Sequence, residues 1–209
     1  MILKNYKLDK HGSLHQIKTT PYTYDSAYNN IYNTEKYLRN SLILSALRVA
    51  FIKICIEDAN EILDVGYGNG DFLRVAMMAF DKAVGYDISD YSPEGIHRVN
   101  NIYGKHDVVC FWDSLEHMSE LSFIKNLNTK YIAVSMPYCH YEIMGEKWLA
   151  DWKHLKPNEH LHHFTPDSLC KQMNEFGYEP VVINNDIEDV VRKSEDSLQN
   201  IFCAIYMKQ

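Results

Sequence analysis

The sequence has no C-x-x-C pair: its five cysteines, Cys55, Cys110, Cys139, Cys170 and Cys203, are scattered and odd in number. That pattern argues against a disulfide framework and reads as reduced thiols in a cytoplasmic protein, most of them plain core residues. No run is apolar enough to span a bilayer, since the longest, "LILSALRVAFIKICI", is interrupted by Arg48 and Lys53. The polar N-terminus, "MILKNYKLDK", lacks the apolar core of a signal peptide. Basic residues are outnumbered, 21 Lys and Arg against 28 Asp and Glu, for a formal charge of −7. That balance counts against a nucleic-acid binder, whose phosphate contacts need clustered Lys and Arg. Internal repeats and low-complexity segments are also missing.

What is there is an ordinary globular composition, 46 % hydrophobic and 23 % charged, in 209 residues, enough for one domain with a full core. Residues 1–28 are polar and tyrosine-rich and read as a mobile arm or lid. A helix is expected from about Asn33, as N-cap, to about Ile56, with Leu38, Leu42, Leu47 and Phe51 roughly on one face. We therefore divide the chain into an N-terminal arm and helix, 1–56, and a core, 57–209.

The core alternates short apolar strands with helical segments. "EILDVG" runs into a glycine loop and the helical "GDFLRVAMMAF". "KAVGYDIS" ends in an acid, "HDVVCFWD" precedes a helical "SLEHMSELSFIKNLN", and "KYIAVSMPY" comes next. "TPDSLCKQMNEFG" is a helix with Thr165 as N-cap, Pro166 at its first position and Gly177 as its stop. "EPVVINND" and "NIFCAIYMK" are two final strands with no helical period between them. The pattern is that of an α/β, doubly wound, mostly parallel sheet closed by a C-terminal antiparallel hairpin.

"DVGYGNGD", Asp64 to Asp71, lies between a strand and a helix, where Gly66, Gly68 and Gly70 let the backbone approach a ligand at a helix N-terminus. The same loop also fits a tight turn that binds nothing. Asp87, at the end of the next strand, favours a ligand, because an acid there accepts hydrogen bonds from the ribose hydroxyls of a nucleoside. Asp64 favours a cofactor with a cationic amino-acid end over a dinucleotide.

With these residues the sequence resembles the class I S-adenosylmethionine-dependent methyltransferases. The matching pieces are "ILDVGYGNGDFL", "VGYDIS", "DVVCFWDSLEHM" and "EHLHHFTPDSLCKQMNEFGYEP", in the family's order over roughly residues 60 to 180. The resemblance implies S-adenosylmethionine contacts by Asp64, Gly66, Tyr67, Gly68 and Gly70, by Asp87 and Ile88, and by Trp112 and Asp113. Tyr28, a helical turn from Tyr32 and near Tyr24, closes over the cofactor or simply packs the arm. One departure is visible: the stretch from Asp87 to Asp107 is too short for the usual helix and third strand, so that strand is expected to be trimmed, with "NNIYG" as its vestige. The acid that clamps adenine is not assignable.

Methyl transfer needs alignment and a base within reach of the acceptor. The chain lacks the Asn/Asp-Pro-Pro-Tyr motif of amino-methylating DNA enzymes and the Pro-Cys pair of cytosine C5 enzymes. The expectation is a small-molecule acceptor carrying a hydroxyl and an anionic group. Residues 138–164 form an insertion long enough to serve as the acceptor lid. In it Trp148, Trp152 and Leu155 share a helical face, either buried or forming an aromatic wall, while Lys147, Lys153 and Lys156 are placed to meet an anion.

"DSLEH" puts Asp113, Glu116 and His117 on one face of a helix. It resembles the acid-x-x-Glu-His motif of small-RNA 2′-O-methyltransferases and ubiquinone-biosynthesis O-methyltransferases. That resemblance implies Mg²⁺ or Mn²⁺ held by Asp113, Glu116, His117 and His162, the last supplied by "HHF". The competing readings are an active-site histidine without a metal, His117, His160 or His162, and purely structural histidines. In an extended segment His160 and His162 share a side and His163 takes the other. An RNA 2′-O-methyltransferase and a non-catalytic cofactor-binding protein stand as alternatives.

Overall fold

A computed structural model describes residues 2–20, 22–23, 34–193 and 198–209. Tyr24, Tyr28, Tyr32 and Asn33 lie outside the described residues. The first long helix, α1 (Glu35–Cys55), is capped by Thr34, whose hydroxyl accepts from the Tyr37 N–H at 3.3 Å. Val49, Ile52 and Ile56 follow the i, i+3, i+4 spacing and are buried on α1's inner side.

Four parallel strands come next: β3 (Glu61–Val65), β4 (Lys82–Tyr86), β5 (His106–Trp112) and β6 (Thr129–Pro137). The final pair, β8 (Tyr178–Asn184) and β9 (Ile201–Lys208), is antiparallel, giving the order β4-β3-β5-β6-β9-β8. In β5, Val108, Cys110 and Trp112 pack into one core while Val109 and Phe111 pack into the other. Both faces are thus buried, which is why the strand reads as a continuous apolar run. The edge is trimmed, but not with "NNIYG" as its vestige: beyond β4, one isolated bridge from Gly85 to Arg98 stands in for a strand among the described residues.

Two helices are set by their ends. Gly70 caps α2 (Asp71–Ala76) at φ 78°, a left-handed conformation that glycine adopts without strain. Thr165 and Ser168 form a reciprocal capping box on α4 (Pro166–Glu175), with Pro166 at its start. Of the remaining helices, α3 (Tyr141–Asp151) lies in the insertion and α5 (Asp189–Arg192) is a single turn between β8 and β9.

The structure departs from the sequence reading in two places. The N-terminal segment is not a loose arm: β1 (Tyr6–Leu8) and β2 (Leu14–Gln16) form a hairpin that pairs with β7 (His162–His163). Strands this short carry too little periodicity to be read. After β5 the expected α-helix is replaced by two 3-10 turns, Leu115–His117 and Ser122–Asn126. Asp113 stands before the first at φ 54°, so Asp113, Glu116 and His117 do not share a helical face. In the insertion, Trp148, Trp152 and Leu155 pack on Tyr6, Leu14, Cys139 and Leu149, joining α3 to the hairpin. All five cysteines are free.

Candidate active site

The C-terminal ends of β3, β4, β5 and β6 converge, and a cavity of about 720 Å³ opens there. Its near end is made by Gly66, Tyr67, Gly68 and Asn69 of the glycine loop, with Phe72, Tyr91 and Trp112. Two observations explain the loop. A Cβ on Gly66 would lie 2.7 Å from that of Ser114, whose hydroxyl donates to the Val65 carbonyl, so glycine is needed for packing there. Nothing lies within 4 Å of a Cβ on Gly68, which faces open space.

Asp87 braces this loop. Its carboxylate accepts from the Gly68 N–H at 3.1 Å and from the Ser89 N–H at 2.8 Å. Ile88 is 76 % exposed, and neither it, Asp87 nor Gly70 is among the cavity-lining residues. Asp64 is, and only 2 % of it is exposed. Its Oδ1 is buried without a hydrogen-bond partner. Burial lifts its carboxyl to about 7, with Arg48 pulling the other way and Asp87 adding to the rise. A carboxylate left unpaired beside an open glycine suits the ammonium group of an amino-acid ligand.

The far end is built from distant segments. The first 3-10 turn brings Glu116 and His117, and the end of the insertion brings Glu159 and His160. The rings of His117 and His160 meet edge to face, 4.7 Å between centroids, and His117 Nε2 is 4.0 Å from Glu116 Oε1. Ligand atoms of Glu116, His117 and His160 lie within 4.8 Å of one another. Both Glu116 carboxylate oxygens and His160 Nδ1 are buried without partners. Burial, reinforced by the charge of Asp113, raises the Glu116 carboxyl well above its usual range. Burial lowers His117 to about 4, so the imidazole is neutral at pH 7.

Two residues expected in this group are elsewhere. His162 hydrogen-bonds the Met118 carbonyl through Nε2 and His15 through Nδ1, and is not among the lining residues. The parity argument linking it to His160 fails because β7 holds only His162 and His163, while His160 closes a turn, its N–H bonded to the Lys156 carbonyl. Asp113 lines the cavity, but Arg192 and Arg48 occupy its carboxylate at 2.8 and 2.7 Å. Burial alone would raise its pKa, and the two guanidinium groups outweigh that and hold it well below the carboxylate range.

Lys153 and Lys156 line the far end, and Lys147 does not. Trp148 and Trp152 are likewise absent from the lining, in keeping with burial rather than an aromatic wall. Sequence reasoning missed Arg48, Arg192 and Lys193. Arg48 had only the look of an interruption in an apolar helix, and a buried arginine in such a run was the available signal.

A family model described as a methyltransferase domain matches residues 35–183, most of the chain and the whole of the cavity's sheet floor apart from β9. The chain belongs to this methyltransferase family. No curated protein sequence matches it. Among solved structures, the methyltransferase resembles a SAM-dependent methyltransferase from Archaeoglobus fulgidus at TM-score 0.58 and 14 % identity, covering 89 % of this chain and 100 % of that one. A second is an S-adenosylmethionine-dependent methyltransferase from Clostridium acetobutylicum, TM-score 0.58 and 11 % identity, covering 87 % and 98 %. A third is an S-adenosylmethionine-bound amino pentose methyltransferase from Micromonospora echinaspora, TM-score 0.55 and 10 % identity, covering 91 % and 100 %. The methyltransferase is thus a class I, S-adenosylmethionine-dependent enzyme with a Rossmann-like fold. Among its described residues no helix is long and apolar enough to cross a membrane.

Proposed function

We propose that the methyltransferase methylates a hydroxyl of a small-molecule acceptor bound at the Glu116–His117–His160 end of the cavity. The observation that carries this reading is one continuous cavity, running from the glycine loop and Asp64 to the neutral His117 imidazole, with unspent hydrogen-bonding capacity on Glu116 and His160 beside it. S-adenosylmethionine, when bound, supplies a methyl group on a positively charged sulfur, ready for in-line displacement. Asp64 holds the ammonium end of that cofactor, and the glycine loop and Tyr67 support its nucleoside. Trp112 and Asp113 wall the middle. At the far end His117 takes the acceptor proton as the new C–O bond forms and the C–S bond breaks. Glu116 beside it, its carboxyl raised by burial, offers an unpartnered oxygen as hydrogen-bond acceptor once that proton arrives. Lys153 and Lys156 suit an acceptor with an anionic substituent.

A second reading is favoured by the two unpartnered oxygens of Glu116. One carboxylate and two neutral imidazoles are a mixed donor set of the kind that takes Mg²⁺ or Mn²⁺. Glu116, His117 and His160 would hold the ion, without Asp113 or His162, and its chemistry would be to lower the pKa of the acceptor hydroxyl.

Calorimetric titration with S-adenosylhomocysteine comes first, followed by methylation of a panel of phenols, catechols, hydroxy acids and short RNAs with EDTA or with Mn²⁺. We expect cofactor-product binding and turnover of a small hydroxylic acceptor. Activity lost in EDTA and restored by Mn²⁺ selects the second reading, and turnover confined to RNA replaces the acceptor class. No binding at millimolar ligand would sink the reading altogether.

A further inference from the structure

Arg48 and Arg192 lie in one ionic cluster and use their guanidinium groups differently. A guanidinium has one edge on which Nε–H and an Nη2–H run parallel, and that edge matches the two oxygens of a carboxylate. Arg48 of α1 gives it to Glu188, Nε to Oε1 at 2.6 Å and Nη2 to Oε2 at 3.0 Å. Arg192 of α5 donates to both Asp113 oxygens and to Glu188, each at 2.8 Å, and all three bonds leave from Nη1. Its Nε–Nη2 edge has no hydrogen bond among the described residues. Arg192 lines the cavity, with 23 % of its side chain exposed.

The open edge is held in place. A single turn such as α5 has little stability of its own, and its neighbours fix it. Asp189 accepts from the Asn200 and Ile201 N–H groups at 2.8 and 3.1 Å, which ties α5 to the start of β9. Asn200 donates through Nδ2 to the Arg192 carbonyl and accepts through Oδ1 from His154 Nε2 at 2.9 Å. Burial lowers His154 to about 4; the Asn200 bond opposes this, and the charges of Arg192 and Lys153 add to it, so both cations stand close to one neutral ring. Lys153 and Lys193 line the same cavity and have no ion pair among the described residues, whereas Lys156 pairs with Glu159 at 3.0 Å. The charges of Arg48, Arg192, Asp113 and Glu188 cancel. The two remaining lysines therefore tip this end of the cavity positive.

We propose that the Nε–Nη2 edge of Arg192 binds a carboxylate of the acceptor, so that the small molecule methylated here is a hydroxy acid. This rests on the reading that the acceptor lies at the Glu116–His117–His160 end of the cavity. Lys153 and Lys193 attract the anion, and the fork fixes its plane. A planar carboxylate suits the site better than a tetrahedral phosphate, because one edge offers two coplanar donors, the pairing that Arg48 makes with Glu188. Asp113 and Glu188 are positioning residues that hold Nη1, and Asn200 is one that holds the Arg192 backbone. Anchored by its acid, the molecule presents its hydroxyl to His117 in the same cavity.

The test measures binding of hydroxy acids to the protein saturated with S-adenosylhomocysteine, by saturation-transfer NMR and calorimetry. The probes are salicylate, mandelate and lactate, each beside its carboxamide, which keeps the shape and loses the charge, with phenyl phosphate as the tetrahedral anion. The wild type should bind at least one acid about 10- to 100-fold more tightly than its amide, the range for hydrogen bonds to a charged group. Arg192→Lys keeps a cation for Asp113 and Glu188 but has no fork, and its preference should fall to within about threefold. Lys153→Gln/Lys193→Gln alters two exposed side chains and should weaken the acids and flatten their dependence on salt. Lys147→Gln, outside the cavity lining, should keep the wild-type preference. Acids that bind no tighter than their amides, phenyl phosphate that outcompetes every acid, or a preference that survives in Arg192→Lys each overturn the assignment. So does an Arg192→Lys protein that loses S-adenosylhomocysteine affinity as deeply, because the edge would then serve the methyl donor. A wild type that does not bind S-adenosylhomocysteine overturns the reading beneath the proposal, a different result from a missing preference.

Discussion

Two pairs of histidines touch in this molecule, and they differ in one respect. His15 and His162 join through their Nδ1 atoms, and their other nitrogens are held by Asp9 at 2.8 Å and the Met118 carbonyl at 2.7 Å. All four ring nitrogens are in use. His117 and His160 meet edge to face in the cavity, where His160 Nδ1 and both oxygens of Glu116 are buried and unpartnered. Leaving a buried polar atom without a partner costs about 1–3 kcal/mol, so a fold keeps such atoms where something else is to fill them. The first pair fastens a hairpin; the second lines the cavity beside unspent hydrogen-bonding capacity. Proximity in sequence hid this, since His160 and His162 are near neighbours in one segment yet belong to different pairs.

The largest expected effect tests that division directly. Glu116→Gln and His160→Ala should each lower kcat/KM for the acceptor by about 10²- to 10⁴-fold, the range for a lost acid–base group or ligand. S-adenosylhomocysteine affinity should stay within about twofold, because these residues lie at the far end of the cavity. His162→Ala should keep its turnover per folded molecule. Steady-state kinetics beside calorimetry decides the matter. If His162→Ala loses activity as deeply as His160→Ala while still binding the cofactor product, the division between the pairs is wrong.

The second effect concerns another unsatisfied group, Asp64. Its carboxyl is raised by burial to about 7, and only the ionised form pairs with an ammonium. Affinity for S-adenosylhomocysteine should therefore rise with pH and level off above about 7. From pH 5 to the plateau above pH 7 the gain should approach about 100-fold, about 50-fold of it reached by pH 7. Asp64→Asn should bind weakly with little dependence on pH. The sign is specific: an acid with a lowered pKa would give a flat profile over this window. Calorimetry at pH 5, 6, 7 and 8 reads it, and affinity that is level from pH 5 upward would contradict the burial argument.

How much of this was legible in the sequence depends on where the information lies. The glycine loop, Asp87 and the Thr165 capping box are local devices, so their residues announce them. The short Asp87-to-Asp107 stretch likewise announced a trimmed edge, and the edge carries only a bridge. The candidate histidines come from two segments that the fold brings together, but which of them meets His117 was open. It hinges on a single turn, Lys156 to His160, that keeps His160 out of the strand holding His162 and His163. The helical face of Asp113, Glu116 and His117 failed for a related reason: a left-handed Asp113 and a 3-10 turn replace the period on which the expectation rested. Arg48 gave only a faint signal because its partners Asp113 and Glu188 are remote in sequence, and Arg192, although four residues from Glu188, meets Asp113 and Arg48 only in the fold.

The smallest effect belongs to the satisfied pair. His162→Ala removes the bond to His15 and leaves the buried Met118 carbonyl without its imidazole donor, at a cost of about 1–3 kcal/mol. In a chain of this size each kcal/mol lowers the melting midpoint by about 2–4 °C, a shift that thermal unfolding resolves. His15→Ala removes the same contact from the other side and also frees Asp9, which accepts from the backbone N–H groups of His11 and Ser13 and so keeps its turn. The two changes share one interaction and should fall short of additivity, the double variant losing less than the sum of the singles by about 0.5 kcal/mol or more. Additive losses at His15 and His162 would mean that the hairpin is held by the packing of Tyr6 and Leu14 on the insertion, with the histidines as bystanders.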